Sequence, residues 1–376
     1  MTRVGVIGGG QLAWMMAGAA ETLGVELVVQ TPHKTDPAVA IASSTILAPI
    51  DDATATAQMA AQCDVITFEN EFIDLEALMP LAQQGVCFRP PLTALEPLLD
   101  KYNQRCYLQD LGLPVPKFFA LEADNPESKI EQLGFPVVIK ARRHGYDGQG
   151  TFIIKDKDAL EATLQQLGET PVLVEEFIPF ERELAAIASR SLAGEVVVYP
   201  VVETQQEDQV CRRVLVPADI SPEVTAEIEA ISRKLLDSLQ VVGLFGIELF
   251  LTSSGKVLVN EVSPRTHNSG HFTLDASHTD QFEQHLRAVC GLPLGNPALT
   301  CGGAVMVNLL GYEYSQNDYL GKRQQLAQLP QSHVHWYGKT ESRPGRKLGH
   351  VTVLLETPDR STAQALAQKV ESIWYG

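Results

Sequence analysis

The chain has 376 residues, of which 45% are hydrophobic and 20% are charged, as is ordinary for a folded protein of two or three domains. Its formal net charge of −17 argues against binding to nucleic acid or to an anionic membrane. The six cysteines include no C-x-x-C pair, so we expect reduced thiols in a cytoplasmic protein. No apolar run reaches the roughly 18 residues that span a membrane, and glycines interrupt the apolar N-terminal stretch, unlike in a secretory signal.

The N-terminal segment has the pattern of a nucleotide-binding α/β unit. A strand at Arg3–Ile7 is followed by Gly8–Gly10 and an Ala- and Met-rich helix at Leu12–Leu23, with the spacing G-x-G-x-x-A. A dinucleotide site would need an acidic residue after the second strand, yet Val25–Val29 is followed by Gln30. A nicotinamide-dependent oxidoreductase is therefore supported by the glycine turn alone.

Strand and helix patterns continue to alternate, which predicts a parallel sheet with helices on both faces. The predicted strands are Ser44–Leu47, Asp64–Phe68 and Val86–Phe88, and the predicted helices are Ala53–Gln62 and Leu75–Gln84. Glu69 and Asn70 follow the strand that ends at Phe68, at the sheet edge where ligands of such folds gather.

A second unit begins near Lys101 with a helix that stops at Gly112. Further helices are predicted at Pro126–Leu133, Asp158–Leu167 and Pro222–Leu239, and strands at Pro136–Lys140, Thr151–Ile154, Pro171–Glu175, Arg182–Ser189 and Glu195–Pro200. The loop 141–150 is rich in glycine and carries Arg142 and Arg143, which favours an anion site. It lacks the P-loop pattern, and a flexible hairpin tip is the alternative interpretation.

Two apolar runs, Leu244–Leu251 and Val257–Val262, flank the turn Ser253–Lys256 and predict a β-hairpin. With a four-residue loop, Thr252 would face Val257 and Glu248 would face Glu261. Like charges directly opposite each other destabilise a sheet unless a cation lies between them, and two carboxylates suit magnesium bound beside a nucleotide. The alternative is a solvated strand followed by an ordinary surface loop.

Polar donors are concentrated in two further places. Arg265, His267, Asn268, Ser269 and His271 follow the second hairpin strand and suggest a ligand beside the metal. Residues 339–350 carry four basic side chains and one acid in a very acidic protein, which predicts a phosphate site or, alternatively, a solubilising turn. The C-terminal part is predicted to contain the strands Ala304–Leu310, His333–Trp336 and Lys347–Leu355 and the helix Thr362–Trp374.

Taken together, these segments resemble the ATP-grasp superfamily and, within it, the 5-(carboxyamino)imidazole ribonucleotide synthetases of purine biosynthesis. The motifs are G-G-G-Q-L, F-E-N-E, D-K-x-x-x-R, K-A-R-R-H-G-Y-D-G-Q-G, E-E-F-I, N-E-V-S-P-R-T-H-N-S-G-H and H-W-Y-G-K with R-P-G-R-K-x-G-H. The resemblance implies an α/β and α+β protein with the ATP-grasp fold. It implies a Rossmann-like pre-ATP-grasp domain at 1–100, small and large ATP-grasp lobes at 101–190 and 191–300, and a C-terminal subdomain at 301–376 packed on the large lobe.

The resemblance also implies roles in binding ATP with magnesium, or with manganese in its place. Phosphate contacts would come from Lys101 and Lys140, and a closing loop from Gly145, Tyr146, Asp147, Gly148, Gln149, Gly150 and Thr151. The adenine would be read by Glu175, Glu176, Phe177 and Ile178, and the ribose held by Glu183, with Gln206 near the nucleotide. Glu248 and Glu261 would bind the metal with Asn260 beside them, which requires a local irregularity because Asn260 would point away in a regular strand.

The implied reaction is the ATP- and bicarbonate-dependent carboxylation of aminoimidazole ribonucleotide through carboxyphosphate. Bicarbonate and carboxyphosphate would be held by Arg265, His267, Asn268 and Ser269. The ribonucleotide would be bound by Gln11, Leu12, Glu69, Asn70, Tyr146, Asp147, Lys339, Arg346 and Lys347. Members of the family commonly form homodimers, and this chain departs from the family pattern at Ala13-Trp14, Gln149 and Gln206.

Two other functions remain open at this stage beside the oxidoreductase. A formate-using ribonucleotide ligase of the same superfamily would differ in whether phosphate release needs formate or bicarbonate. A non-catalytic binding protein would not need Lys140, Glu248 and Glu261 all intact.

Overall fold

The structure, a computed structural model, describes residues 1–121, 126–143 and 150–376. The strands are β1 (Thr2–Ile7), β2 (Val25–Thr31), β3 (Ser44–Leu47), β4 (Val65–Phe68), β5 (Phe118–Ala120), β6 (Val137–Ala141), β7 (Thr151–Ile154), β8 (Val172–Glu176), β9 (Phe180–Arg190), β10 (Val196–Val198), β11 (Val202–Glu207), β12 (Val210–Val216), β13 (Gly243–Thr252), β14 (Val257–Ser263), β15 (Gly303–Leu310), β16 (Ser332–Trp336) and β17 (Lys347–Leu355). The α-helices are α1 (Gln11–Leu23), α2 (Ala53–Ala60), α3 (Leu75–Gln83), α4 (Leu92–Leu95), α5 (Lys101–Asp110), α6 (Pro126–Leu133), α7 (Lys157–Leu167), α8 (Pro222–Leu239), α9 (Thr273–Ala276), α10 (Gln281–Val289), α11 (Leu320–Ala327) and α12 (Arg360–Tyr375).

The N-terminal sheet has the order β3-β2-β1-β4, and all its pairs are parallel, as the alternating pattern predicts. Helix α1 begins directly after the glycine turn and ends at Gly24, which adopts the left-handed conformation with φ of 65°. The predicted strand Val86–Phe88 is wrong: Phe88 forms only an isolated parallel bridge to Ile66.

A second, antiparallel sheet has the order β5-β8-β6-β7. Its buried core includes Ile139, Val174 and Leu160, the last from helix α7. Strands β6 and β8 are neighbours, so Lys140 near the end of β6 and Glu175 on β8 project from adjacent strands.

The third sheet has the order β14-β13-β9-β11-β12-β15-β17-β16, with β10 paired to β9. Strand β9 lies within the range predicted for the small lobe, and β15 to β17 lie within the range predicted for the C-terminal subdomain, yet all belong to this sheet. The domain boundaries stay a prediction. Strands β11 and β12 were missed because their connection, Asp208 and Gln209, contains no glycine although both residues have positive φ.

The hairpin of β13 and β14 confirms one predicted pairing and corrects another. Glu248 lies opposite Glu261 as predicted, but Val257 lies opposite Leu251 rather than Thr252. The loop is one residue shorter than expected, because the Thr252 amide donates to the Lys256 carbonyl oxygen at 3.0 Å. Between Val259 and Glu261 the register shifts, which leaves Asn260 as the extra residue of a β-bulge. The shorter loop and the extra residue shift the register in opposite directions, so Glu248 and Glu261 still lie opposite each other. The irregularity expected at Asn260 is confirmed.

We predict that Gly246→Ala destabilises the protein and displaces His267. A Cβ atom at Gly246 would lie 2.6 Å from Cβ and Cγ of His267, so the substitution overpacks this site and should cost about 1–3 kcal/mol of unfolding free energy. The matched control is Gly18→Ala on α1, where a Cβ atom meets nothing within 4 Å and should add about 0.5–1 kcal/mol of stability. Urea unfolding of both variants checks the opposite signs, and equal effects would contradict the steric argument.

Candidate active site

A cleft of about 830 Å³ lies where the N-terminal sheet, the end of the β13–β14 hairpin and the C-terminal part of the chain meet. It brings together many of the residues predicted from sequence. Those that line it are Gln11, Leu12, Glu69, Asn70, Lys101, Thr151, Gln206, Glu248, Glu261, Arg265, His267, Asn268, Ser269 and Lys347. Predicted residues Gly145, Tyr146, Asp147, Gly148 and Gln149 lie outside the described residues.

The two predicted metal ligands are stabilised by cationic or polar neighbours. Lys101 Nζ donates to Glu261 Oε2 at 2.5 Å, and His267 Nε2 lies 3.3 Å from Glu248 Oε1. The bulge turns the Asn260 side chain to the same side, where its Nδ2 lies 3.4 Å from Glu248 Oε2. These groups supply carboxylate and amide oxygens, which are the donors preferred by a hard divalent cation.

A buried ion cluster adjoins this carboxylate pair. Glu175 accepts from Arg105 Nε, and its other oxygen lies 2.7 Å from Lys140 Nζ. Lys140 Nζ also donates to Asn260 Oδ1 at 3.0 Å. Burial alone would raise the pKa of Glu175, but the charges of Arg105 and Lys140 outweigh it and lower the pKa to about 2. Glu175 is therefore ionised and holds the two cations in place.

Arg105 was not singled out from the sequence. It lies four residues after Lys101 on α5, so the two side chains share one face of the helix. Besides Glu175 it contacts the carbonyl oxygen of Asn260, the bulged residue. The i, i+4 spacing of two basic residues in D-K-x-x-x-R was the available signal. The Asp100 carboxylate fixes the start of α5 by accepting from the Tyr102 and Asn103 amides.

The segment predicted to read adenine joins β8 to β9. Glu176 has its amide bonded to the Lys117 carbonyl oxygen and its carboxylate to the Lys117 amide, while Phe177 and Ile178 are half-buried. Glu183 lies further along, on β9 opposite Phe250. Burial, followed by repulsion from Glu248, raises the pKa of Glu183 to about 7.

Glu69 occupies the glycine turn at the start of α1. Its carboxylate accepts from the amides of Gly10, Leu12 and Ala13 at 2.6, 3.0 and 3.4 Å. A dinucleotide-binding fold uses these amides for a pyrophosphate, so the protein's own carboxylate fills that anion site here. This observation removes the only support for the oxidoreductase. The adjacent Asn70 accepts from the Phe72 amide and also faces the cleft.

The polar loop after β14 is held from several sides. Arg265 Nε lies 2.9 Å from a carboxylate oxygen of Glu71, a residue not singled out from sequence. His267 Nδ1 lies 2.8 Å from Ser269 Oγ. Both backbone groups of His267 are bound by the buried Gln281 side chain of α10, each at 2.9 Å. The loop therefore has a fixed conformation although it contains little regular secondary structure.

The basic segment 339–350 reaches the cleft only in part. Lys347 lines it, at the start of β17. Arg346 donates through Nη1 to the Glu341 carbonyl oxygen at 2.8 Å, and Lys339 Nζ donates to the Lys347 carbonyl oxygen at 2.8 Å. Neither of these two residues is among those that line the cleft. Of the two predicted residues at the start of β7, Thr151 lines the cleft and Gly150, which directly precedes the strand, does not.

Asp275, His335 and His350 form a second titratable cluster near His271. His335 Nε2 lies 2.9 Å from Asp275, and the rings of His335 and His350 stack with an interplanar angle of 14°. Because lone pairs lie in the ring planes, nearly parallel rings do not direct them at one point. Burial lowers the pKa of His350 well below its usual value, so this histidine is neutral. We describe the cluster as a His335–Asp275 hydrogen-bonded pair stacked on a neutral ring.

Comparison with known families matches three consecutive parts of the chain. Residues 1–97 match the ribonucleotide synthetase preATP-grasp domain, 106–282 the ATP-grasp domain, and 304–364 the phosphoribosylaminoimidazole carboxylase C-terminal domain. The N5-carboxyaminoimidazole ribonucleotide synthase of Synechococcus elongatus is 54% identical over 99% of this chain and 95% of its own length. This chain belongs to the N5-carboxyaminoimidazole ribonucleotide synthase family.

Further relatives agree with this assignment. The N5-carboxyaminoimidazole ribonucleotide synthase of Synechocystis is 55% identical and is covered over 98% of its length by the whole chain. A crystal structure of N5-carboxyaminoimidazole synthase from Aspergillus clavatus, in complex with ADP and 5-aminoimidazole ribonucleotide, superimposes with a TM-score of 0.92 at 30% identity. It covers 100% of this chain and 98% of that one. The family and the ATP-grasp fold predicted from the sequence motifs are confirmed. Separately, no described helix is long and apolar enough to cross a membrane.

We predict that Glu183 makes stability depend on pH in the protein without ligands. A carboxyl whose folded pKa is raised from 4.5 to about 7 favours folding at low pH, and this contribution is lost as pH rises between those values. Relative to Glu183→Gln, the wild type should lose on the order of 3 kcal/mol of unfolding free energy over that window. Urea unfolding at several pH values checks this, and parallel curves for the two proteins would show that Glu183 titrates normally.

Proposed function

We propose that this protein catalyses the ATP- and bicarbonate-dependent carboxylation of 5-aminoimidazole ribonucleotide, giving N5-carboxyaminoimidazole ribonucleotide, ADP and phosphate in purine biosynthesis. This is the function predicted from the sequence, and it is that of the family to which the chain belongs. The observation that carries it is one cleft that joins the carboxylate pair, the polar loop after β14 and Lys347. An enzyme of this class must place a nucleotide phosphate, a small anion and a second phosphate next to each other.

ATP is proposed to lie against the buried ion cluster. Lys101 and Lys140 would contact its phosphates, because they are the cations nearest the carboxylate pair. Glu175 and Arg105 would hold Lys140 and the bulge in position rather than contact the phosphates. The segment Glu176 to Ile178 and Glu183 would bind the nucleoside, with Gln206, which lies at the bulge of β11 and lines the cleft, near the nucleotide.

The donor set of Glu248, Glu261 and Asn260 fits magnesium, and manganese in its place, since all three offer hard oxygen atoms. When bound, the metal neutralises charge on the ATP phosphate oxygens. Lys101 and His267, which lie against the two carboxylates in this structure, would then be available to the phosphates and to bicarbonate.

The proposed chemistry has three steps. A bicarbonate oxygen attacks the γ-phosphorus, the bond from that phosphorus to the bridging oxygen breaks, and ADP leaves with the electron pair. Carboxyphosphate then breaks its bond between carbon and the bridging oxygen, giving carbon dioxide and phosphate. The exocyclic amine nitrogen attacks carbon dioxide, and its proton passes to the released phosphate. Arg265, His267, Asn268 and Ser269 would position the anions, so the protein contributes mainly orientation and charge stabilisation.

The ribonucleotide is proposed to enter from the side of the N-terminal sheet. Gln11, Leu12, Glu69 and Asn70 line the cleft, and Lys347, which also lines it, would bind the 5′-phosphate. The contributions of Arg346 and Lys339 stay predictions: Arg346 donates to a backbone oxygen, and Lys339 donates to a backbone oxygen and lies 5.7 Å from the centre of the Tyr337 ring.

The deciding experiment measures ADP and product formation with each substrate omitted in turn. ADP release should require bicarbonate and should rise strongly when aminoimidazole ribonucleotide is added, with carboxylated product formed in proportion. If formate replaces bicarbonate in supporting phosphate release, the alternative ribonucleotide ligase is the correct function. A homodimer and a cytoplasmic location are part of the same proposal, and light scattering tests the dimer.

We predict that Glu261→Gln abolishes ATP turnover and lowers stability only modestly. The substitution removes a metal ligand but also replaces the ion pair with Lys101 by a weaker hydrogen bond from the Lys101 ammonium to a neutral amide oxygen. It also relieves the charge repulsion between Glu261 and Glu248, two half-exposed side chains. The lost ion pair and the relieved repulsion therefore change the stability in opposite directions. Turnover and thermal unfolding are measured together. A variant that keeps wild-type turnover at limiting magnesium would exclude Glu261 as a ligand.

We predict that Lys347→Ala weakens ribonucleotide binding and leaves ATP binding unchanged. One charge-assisted hydrogen bond to phosphate contributes roughly 1.5–3 kcal/mol, which is about 10- to 150-fold in affinity. Calorimetry of both ligands checks this, with Lys256→Ala as a control that removes the same charge at the exposed tip of the hairpin. Equal ribonucleotide affinity in the two variants would move the phosphate site to another part of the cleft.

A further inference from the structure

Asn308 lies next to the candidate site without lining it. It is on β15 opposite His350 of β17, and its side chain is fully buried. Its amide makes a reciprocal pair with the amide of Asn268: Asn308 Nδ2 donates to Asn268 Oδ1 at 2.7 Å, and Asn268 Nδ2 donates to Asn308 Oδ1 at 3.0 Å. Asn268 is half-buried and faces the cleft.

A third hydrogen bond fixes the direction of this pair. Asn308 Nδ2 also donates to the carbonyl oxygen of Cys211, on β12, at 2.9 Å. A carbonyl oxygen can only accept, so turning the Asn308 amide by 180° would bring two acceptors together. The neighbouring backbone thus sets the orientation of Asn308, and Asn308 sets the orientation of Asn268. Among the described residues, no other group takes the second N–H and the second oxygen lone pair of the Asn268 side chain, and these would be offered to a ligand.

We propose that Asn308 is a positioning residue for bicarbonate, acting through Asn268, an inference that rests on the proposed function. Bicarbonate is planar and carries both acceptor oxygens and one hydroxyl donor. An amide held in one orientation offers it one donor and one acceptor in a fixed order. A site that accepts a hydrogen bond from a substrate hydroxyl discriminates against analogues that lack it, and formate is such an analogue.

The test is a double-mutant cycle of Asn308→Leu and Asn268→Ala. Loss of one or two neutral hydrogen bonds at about 1 kcal/mol each should raise the KM for bicarbonate about 5- to 30-fold in Asn308→Leu. The KM for ATP should stay within about twofold, because Asn308 has no contact with the ion cluster at Lys140. The amount of ADP formed per carboxylated product should also rise, since misplaced carboxyphosphate decomposes before transfer.

The cycle separates positioning from mere stability. Asn308→Leu leaves the Cys211 carbonyl oxygen without this donor and should lower the melting temperature. Val307→Ala, at the next residue of β15, removes buried apolar volume and serves as the control. It should lower the melting temperature without changing the KM for bicarbonate. If Asn308→Leu does not fold, Asn308→Ala takes its place.

The double mutant should resemble Asn268→Ala alone, because Asn308 acts only through Asn268. The inference is overturned if a folded Asn308 variant keeps the wild-type KM for bicarbonate, or if the two single effects multiply in the double mutant. Failure of the proposed function gives a different result: the wild type itself would then show no ADP release that depends on bicarbonate.

Discussion

Two carboxylates face each other on neighbouring strands, and much of the site is arranged around their repulsion. The pairing of Glu248 with Glu261 is unfavourable in an ordinary sheet, so each is provided with a partner, Lys101 on one side and His267 on the other. The bulge at Asn260 then adds an amide on the same face, with its Nδ2 3.4 Å from Glu248 and its Oδ1 accepting from Lys140. The cations that balance this negative charge come from helix α5 and from the second sheet, β5-β8-β6-β7. Charged side chains from two other parts of the structure, helix α5 and the second sheet, are therefore gathered around the carboxylate pair.

A second consequence concerns buried charge. Lys140 and Arg105 lie in an environment that penalises ions, and they are stabilised by Glu175, which is itself held ionised by them. Such a cluster is strongly interdependent: removing one member leaves the others without compensation. It also means that the positive charge of Lys140 is held in place before any ligand arrives, so the phosphate contact proposed for it would need little rearrangement.

Sequence reasoning was most reliable where the pattern was local. The parallel N-terminal sheet and the β13–β14 hairpin followed from periodicity and spacing, whereas Glu248 faces Glu261 as predicted only because the shorter loop and the bulge at Asn260 offset each other. It failed where tertiary contacts decide. The β11–β12 hairpin turns at Asp208 and Gln209 without glycine, and the role of Glu69 depends on an amide cluster 56 to 59 residues away in the chain. Arg105 and Asn308 looked like ordinary helix and strand residues, since only the folded chain brings them to the site.

The large sheet runs without interruption through strands from both sides of residue 300. Strand β12 has β11 on one side and β15 on the other, and β15 in turn carries β17 and β16. A protein cut before β15 would expose the free amide and carbonyl groups of β12 as a new sheet edge, together with the buried side chain of Leu215 on β12, which packs in one apolar cluster with residues of β15, β17 and α12. Exposed edges of this kind pair with other chains. The C-terminal strands thus cover an edge of the sheet, and their loss should lead to aggregation rather than to a smaller soluble enzyme.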